Sequence, residues 1–203
     1  MVRDGIPFVA VPLVLAIAPL VFGHWLLVLV LVAVSAFMAF FFRDPRRVPP
    51  ENPGIIVAPA DGRITLIKRS SNENPSLLIS IFLSPLDVHI NRSPIAGKIT
   101  GMSYAKGKFL SATSDRASLL NEQNTLTIEG DGLTLYCKQI AGVLARRIVC
   151  WKAKNDAVGI GERFGMIKFG SRTDLTVNAP VELLVKKGMR VRAGETPIAR
   201  LLR

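Results

Sequence analysis

Hydrophobic residues follow two different patterns along this chain. From Ile6 to Phe42 the sequence is apolar almost without interruption, and His24 is its one ionisable side chain. As one helix those 37 residues would measure about 55 Å, against about 30 Å of bilayer hydrocarbon. The pattern therefore predicts two short spans, roughly 6–22 and 25–42, folded as an α-helical membrane hairpin. Gly23-His24-Trp25 is the natural turn, because glycine loosens a helix and Trp and His suit a lipid–water interface. Pro12 and Pro19 weaken the first span and leave an in-plane or re-entrant segment open.

After a linker rich in proline and charge, RDPRRVPPENPG (43–54), the pattern changes to short apolar or alternating runs between turn signals. These are IIVA (55–58), RITLIK (63–68), SLLISIFL, KITGMSY (98–104), NTLTIEG (124–130), LTLYCKQI (133–140) and RRIVCW (146–151). GMIKFG (165–170), LTVNA (175–179), VELLV (181–185) and TPIARLL (196–202) continue the series, and a helix fits only near Ser114–Asn121. Residues 55–203 thus read as an all-β domain, a sandwich or barrel. The C-terminal VELLVKKGMRVRAGETPIARL has the outline of half a lipoyl- or biotinyl-type barrel-sandwich: strand, Lys-Gly turn, short strand, Ala-Gly-Glu, last strand. IIVAPADGRITLI would supply a matching hairpin with Asp61-Gly62 as its turn. A carrier domain would place a lysine at that tip, and this one has none.

Charge sharpens the picture. Arg3 and Asp4 cancel within residues 1–42, so the whole excess of +11 lies on residues 43–203. A basic domain beside a membrane segment points to an anionic partner, most simply the lipid surface. No nucleic-acid-binding signature accompanies the charge. Arg3 at one end of the apolar run and Arg43, Arg46 and Arg47 at the other place both ends on the cytoplasmic side of the cell membrane. Cys137 and Cys150 form no metal-ligand spacing, so no metal is expected, and two small thiols in a reducing compartment suffice.

Few residues could carry chemistry. Asp61 in APADG reads by itself as a turn former. His89, in FLSPLDVHINRSPIAG (82–97), is the single histidine of the β domain; a lone histidine is more often structural, but this one lies among loop residues on a β scaffold and can move protons near neutral pH. Ser171 reads as an ordinary polar residue after a glycine. The three together could form an acid–imidazole–hydroxyl triad, although no GxSxG elbow is present.

The set FFRDPRRVPP (41–50), APADG (58–62), FLSPLDVHINRSPIAG (82–97), NEQN (121–124) and FGMIKFGSRTDL (164–175) resembles phosphatidylserine decarboxylase, the short archaeal-and-bacterial branch in particular. The resemblance implies a proenzyme that cuts itself between Gly170 and Ser171 into residues 1–170 and 171–203, two chains that stay associated. It implies Asp61 and His89 as the processing acid and base, and a pyruvoyl cofactor made from Ser171. That ketone would condense with the serine amine of the lipid and draw electrons from the carbon bearing the carboxylate. Glycine at 170 suits such a cut, since it lets the hydroxyl approach and tolerates strain. Longer members carry a second histidine where this chain has Arg92. Asn91, Arg92, Arg172 and Lys168 are candidates for holding the anionic substrate. Two other readings compete: the same reaction on archaetidylserine, and a non-catalytic membrane adaptor built on a lipoyl-like barrel. Oligomeric state is left open, a homo-oligomer included.

Overall fold

A computed structural model describes residues 1–70, 76–111, 117–142, 147–168 and 171–202. They form two compact units, Met1–Arg46 and Arg47–Arg203.

The first unit is helical. A 3-10 turn, Arg3–Gly5, leads into α1 (Ile6–Leu15) and α2 (Ile17–Val21), and α3 (Trp25–Phe41) follows. α1 stops at Leu15 because Pro19, four residues on, has no N–H to offer its carbonyl. The chain reverses at Gly23, whose φ of +72° is open to glycine at little cost. α3 then packs along α1. Ser35 Oγ donates to the Val9 carbonyl at 2.8 Å, and the rings of Phe8 and Phe42 stack with centroids 5.1 Å apart. The continuous helical stretch Arg3–Val21, 19 residues with mean hydropathy 2.0, is long and apolar enough to cross a membrane; Trp25–Phe41 is shorter.

The second unit is mostly β. Its strands are β1 (Ile55–Val57), β2 (Gly62–Ser70), β3 (Ser76–Leu83), β4 (Ile90–Arg92), β5 (Gly97–Ala105), β6 (Gln123–Gly130) and β7 (Leu133–Ile140). The chain continues through β8 (Ile148–Cys150), β9 (Ala157–Val158), β10 (Arg163–Ile167), β11 (Ser171–Val177), β12 (Val181–Leu183), β13 (Arg190–Val191) and β14 (Pro197–Leu201). A single helical turn, α4 (Ala117–Leu120), falls inside the stretch where sequence allowed one. Eight strands form one antiparallel sheet in the order β13-β2-β3-β11-β7-β6-β5-β9. Register shifts at Ile64/Leu66 and Ile99/Gly101 curl it. Two three-stranded sheets, β1-β14-β12 and β4-β10-β8, complete the unit.

Alternation explains the core. In β7, Leu133, Leu135, Cys137 and Gln139 are buried while Thr134, Tyr136 and Lys138 are half-buried, as a period of two requires. Ile79, Ile81, Leu126, Ile128, Leu175 and Val177 share that inner face with Ile56, Ile198 and Ala199 of the small sheet. Fully burying one such side chain contributes about 1.5–3 kcal/mol.

The hairpin expected across Asp61-Gly62 does not form. β1 pairs with β14, whereas β2 pairs with β13 and β3, so the chain crosses between sheets at this point. Gly62 has φ +147° and lies so close to the Phe82 carbonyl that a Cβ there would be 2.1 Å from its oxygen. The Asp-Gly pair that does close a two-residue hairpin is Asp131-Gly132, at φ 51° and 74° between β6 and β7. Gly62→Ala is expected to cost about 2–5 kcal/mol, from backbone strain plus displacement of β3. A urea midpoint unchanged from wild type would refute the close approach.

Candidate active site

The end of β3 organises the site. Phe82 lies opposite Arg63 of β2, and Leu83 lies opposite Ser171 of β11. Asp61, one residue before β2, and Ser171, the first of β11, therefore flank the same strand end. At about 4.8 Å per strand spacing their backbones are about 10 Å apart. The segment carrying His89 leaves from that same end. It begins with a tight turn in which the Asp87 N–H donates to the Ser84 carbonyl at 2.9 Å and the Ser84 N–H donates to Asp87 Oδ2 at 2.8 Å. β4 follows, and it lies beside the Asp61 segment, since the Arg92 N–H donates to the Pro59 carbonyl at 2.9 Å. So the fold brings Asp61, His89 and Ser171 to one end of the large sheet. Gly170 lies outside the described residues.

His89 is fully buried, and its Nδ1 is 2.9 Å from the Asp87 carbonyl oxygen. A carbonyl only accepts, so Nδ1 carries the proton and, in the neutral ring, Nε2 holds the lone pair. That is the arrangement a base needs. Ser171 is also fully buried, and its Oγ has no hydrogen-bond partner among the described residues. Asp61 is bound elsewhere than expected. Oδ2 accepts from Arg47 Nη2 at 2.7 Å and Oδ1 from the Ala193 N–H at 2.8 Å. Burial pushes its carboxyl above the usual range, opposed by the Ala193 N–H and the Arg47 guanidinium. The Asp87 carbonyl holds the imidazole at Nδ1, and the Asp61 carboxylate is held by Arg47 and the Ala193 N–H.

The residues expected at the substrate are differently placed. Asn91 is buried and committed to internal partners. Its Nδ2 reaches Thr173 Oγ1 at 3.0 Å and the Pro59 carbonyl at 3.4 Å, and its Oδ1 accepts from Gln139 Nε2 at 2.9 Å. Arg92 Nη1 donates to the Gly161 carbonyl at 3.0 Å. Arg172 alternates to the face of β11 opposite Ser171 and forks onto Asp174, with Nε–Oδ1 2.6 Å and Nη2–Oδ2 2.8 Å. Lys168 is buried at the end of β10, three residues before Ser171.

Sequence reasoning missed Gln139 as a site residue. Gln139 stands directly across from Thr173 on one side and Asn124 on the other, and its Oε1 accepts from Asn124 Nδ2 at 2.9 Å. Thr173, Gln139, Asn124 and Asn91 form a buried polar row on the Ser171 face of β11. The alternation in LTLYCKQI already pointed Gln139 inward, where an amide needs partners. By sequence, Arg47 belongs only to the linker and the membrane-flanking charges.

Of the two thiols, Cys150 hydrogen-bonds with Asn124 of this row, whereas Cys137 lies in the hydrophobic core. Burial raises both thiols above the usual range, Cys137 the more because it is fully buried. Iodoacetamide should leave Cys137 unmodified until the protein unfolds, by intact mass. Rapid labelling of the native protein would contradict its burial.

A fully buried serine whose Oγ has no hydrogen-bond partner among the described residues, at the sheet end from which the His89 segment leaves, suits this β domain to acyl chemistry. Comparison with known proteins agrees. The model of the phosphatidylserine decarboxylase family matches residues 34–199. A phosphatidylserine decarboxylase proenzyme of Symbiobacterium thermophilum is 46% identical over 206 aligned residues, covering 98% of this chain and 94% of that protein. One from Syntrophus aciditrophicus is 42% identical over 97% of this chain and 95% of its own length, and one from Solibacter usitatus is 48% identical over 85% and 82%. The chain belongs to the phosphatidylserine decarboxylase family.

Proposed function

We propose that this chain is a self-processing, pyruvoyl-dependent carboxy-lyase that converts phosphatidylserine to phosphatidylethanolamine. The observation that carries the reading is the buried, unpartnered Ser171 Oγ directly after Gly170, at the strand end that also carries His89. His89 Nε2 takes the hydroxyl proton, and Ser171 Oγ adds to the Gly170 carbonyl. The peptide nitrogen leaves as the amine of residue 171, and an ester joins the two pieces. Loss of the 171 α-proton expels the Gly170 carboxylate, and addition of water with departure of ammonia converts the residue to a pyruvoyl group. The Asp61 carboxylate stabilises the imidazolium formed in the first step.

The surroundings of Ser171 Oγ fit such a group, because a ketone has no proton to donate and would stand where a hydroxyl finds no acceptor among the described residues. When present it supplies an electron-withdrawing carbonyl. His89 then returns a proton to the head-group carbon that has lost carbon dioxide. Lys168 and Arg92 are the cations best placed along the chain to hold the anionic substrate. The names of the relatives favour the ester lipid over archaetidylserine. The two pieces remain associated, a reading supported by β11 lying between β3 and β7. The apolar helices form a membrane hairpin, with the β domain on the cytoplasmic side and the lipid surface as its partner.

Vesicles containing phosphatidylserine should yield carbon dioxide and phosphatidylethanolamine with purified protein, and pretreatment with hydrazine should abolish the yield. Cleaved protein that leaves phosphatidylserine intact would overturn the assignment.

A further inference from the structure

Arg47 opens the second unit, in a stretch that composition alone marks as a linker, yet its side chain is only 7% exposed. It bridges two carboxylates remote from one another in sequence: Nη2 to Asp61 Oδ2 at 2.7 Å and Nη1 to Glu195 Oε2 at 2.9 Å. The Val48 N–H also points at Glu195 Oε1, at 3.4 Å. Burying a guanidinium is costly, and here its Nε is left without a partner among the described residues. An ion pair kept only for stability would be poorly built this way. One of its two acids is the residue beside the His89 segment.

We propose that Arg47 is a positioning residue for self-cleavage, fixing the Asp61 carboxylate at the end of the sheet that also carries Ser171 and gives rise to the His89 segment. The inference rests on the function proposed above. Burial by itself drives Asp61 toward its neutral form, and Asp87 nearby pushes the same way, although Arg190 faces Asp87 at 3.3 Å. A neutral Asp61 could not stabilise an imidazolium on His89. Arg47 and the Ala193 N–H are the groups that oppose this drift. Glu195, with Arg192 close to it, anchors the far end of the guanidinium and keeps it aimed. Ala193 and Glu195 belong to residues 171–203, so the fork also ties the C-terminal piece to the one that keeps Asp61.

Two substitutions separate positioning from packing. Arg47→Gln keeps hydrogen-bond donors but loses the charge, and Arg47→Lys keeps the charge but loses the fork. The full chain is made by cell-free translation at a series of pH values, and the cut is followed by denaturing gel. Loss of an opposite charge at this range shifts a carboxyl by about 1–3 pH units. Arg47→Gln should therefore move the acidic limb of the cleavage rate upward by about that much, with at least a tenfold slower cut at neutral pH. Arg47→Lys should keep the limb where wild type has it. Melting temperatures are read on the uncleavable Ser171→Ala background, so stability is measured separately. An acidic limb unmoved in Arg47→Gln, or a rate loss that merely tracks the melting temperature, overturns the proposal. A wild-type chain that never cuts overturns the proposed function itself.

Discussion

Under denaturing conditions the purified protein should separate into two chains, residues 1–170 and a 33-residue chain beginning at position 171, and Ser171→Ala should run as one. Alanine has no hydroxyl to add to Gly170, so the loss is complete and not a matter of degree. The short chain should resist amino-terminal sequencing, because a ketone replaces its amine. Ser171→Cys should cut slowly, since a thiol can make the same acyl shift. His89→Ala removes the base, and Asp61→Asn removes the charge that steadies the imidazolium. Both should slow processing, by up to about 10⁴-fold if the triad analogy holds. Intact mass decides the matter. Full-length protein with a free Ser171 and no hydrazine-reactive carbonyl would end the decarboxylase reading and leave the membrane adaptor in its place.

The second large effect is expected at a residue that touches no reacting atom. Gln139→Leu removes the donor to Asn91 Oδ1 and the acceptor of Asn124 Nδ2 together, in a row where water has no access. Each stranded buried group costs about 1–3 kcal/mol. The pair should lower the melting temperature by about 5–20 °C in a domain of this size. The fall is best measured on the Ser171→Ala background, before any cut alters the chain. Asn91 links this row to the Pro59 carbonyl, so cleavage in otherwise wild-type protein should also slow as the Asp61 and Ser171 strands lose their common brace. Leucine tolerated without change in either measurement would mean that the polar row is not closed as described.

Much of this was legible in the residues. β7 appears over the span that alternation gives it, because one face is core and the other is not, and β6 follows for the same reason. The reversal at Gly23 and the helix break ahead of Pro19 are local matters of backbone chemistry, which sequence reports well. Strand pairing is another matter. Asp61-Gly62 and Asp131-Gly132 look alike on paper, and only the second joins neighbouring strands. What separates them is whether the following strand is drawn back onto its predecessor or captured by a distant one, here β3 and β13. The candidate site divides the same way. Ser171, His89 and Asp61 stand out by residue type and motif. Arg47, the Asp87 carbonyl and the inward amide of Gln139 depend on which segments lie side by side, and residue type does not disclose that.

On the proposed function, with the cut before Ser171, the position of that residue at the head of a central strand has a consequence for the life history of the molecule. Before the cut, β11 is delivered to its slot by the same chain that forms β3 and β7, at the high effective concentration of an intramolecular partner. After the cut, a denatured molecule must find its 33-residue strand set from solution, and recovery becomes a second-order process that weakens on dilution. Maturation therefore works as a ratchet. The chain must reach its native form first, because only strand pairing brings Ser171 and the Asp61 and His89 segments to one sheet end, and once cut it has discarded the easy route back. The mature protein persists by the slowness of its unfolding more than by its ability to refold.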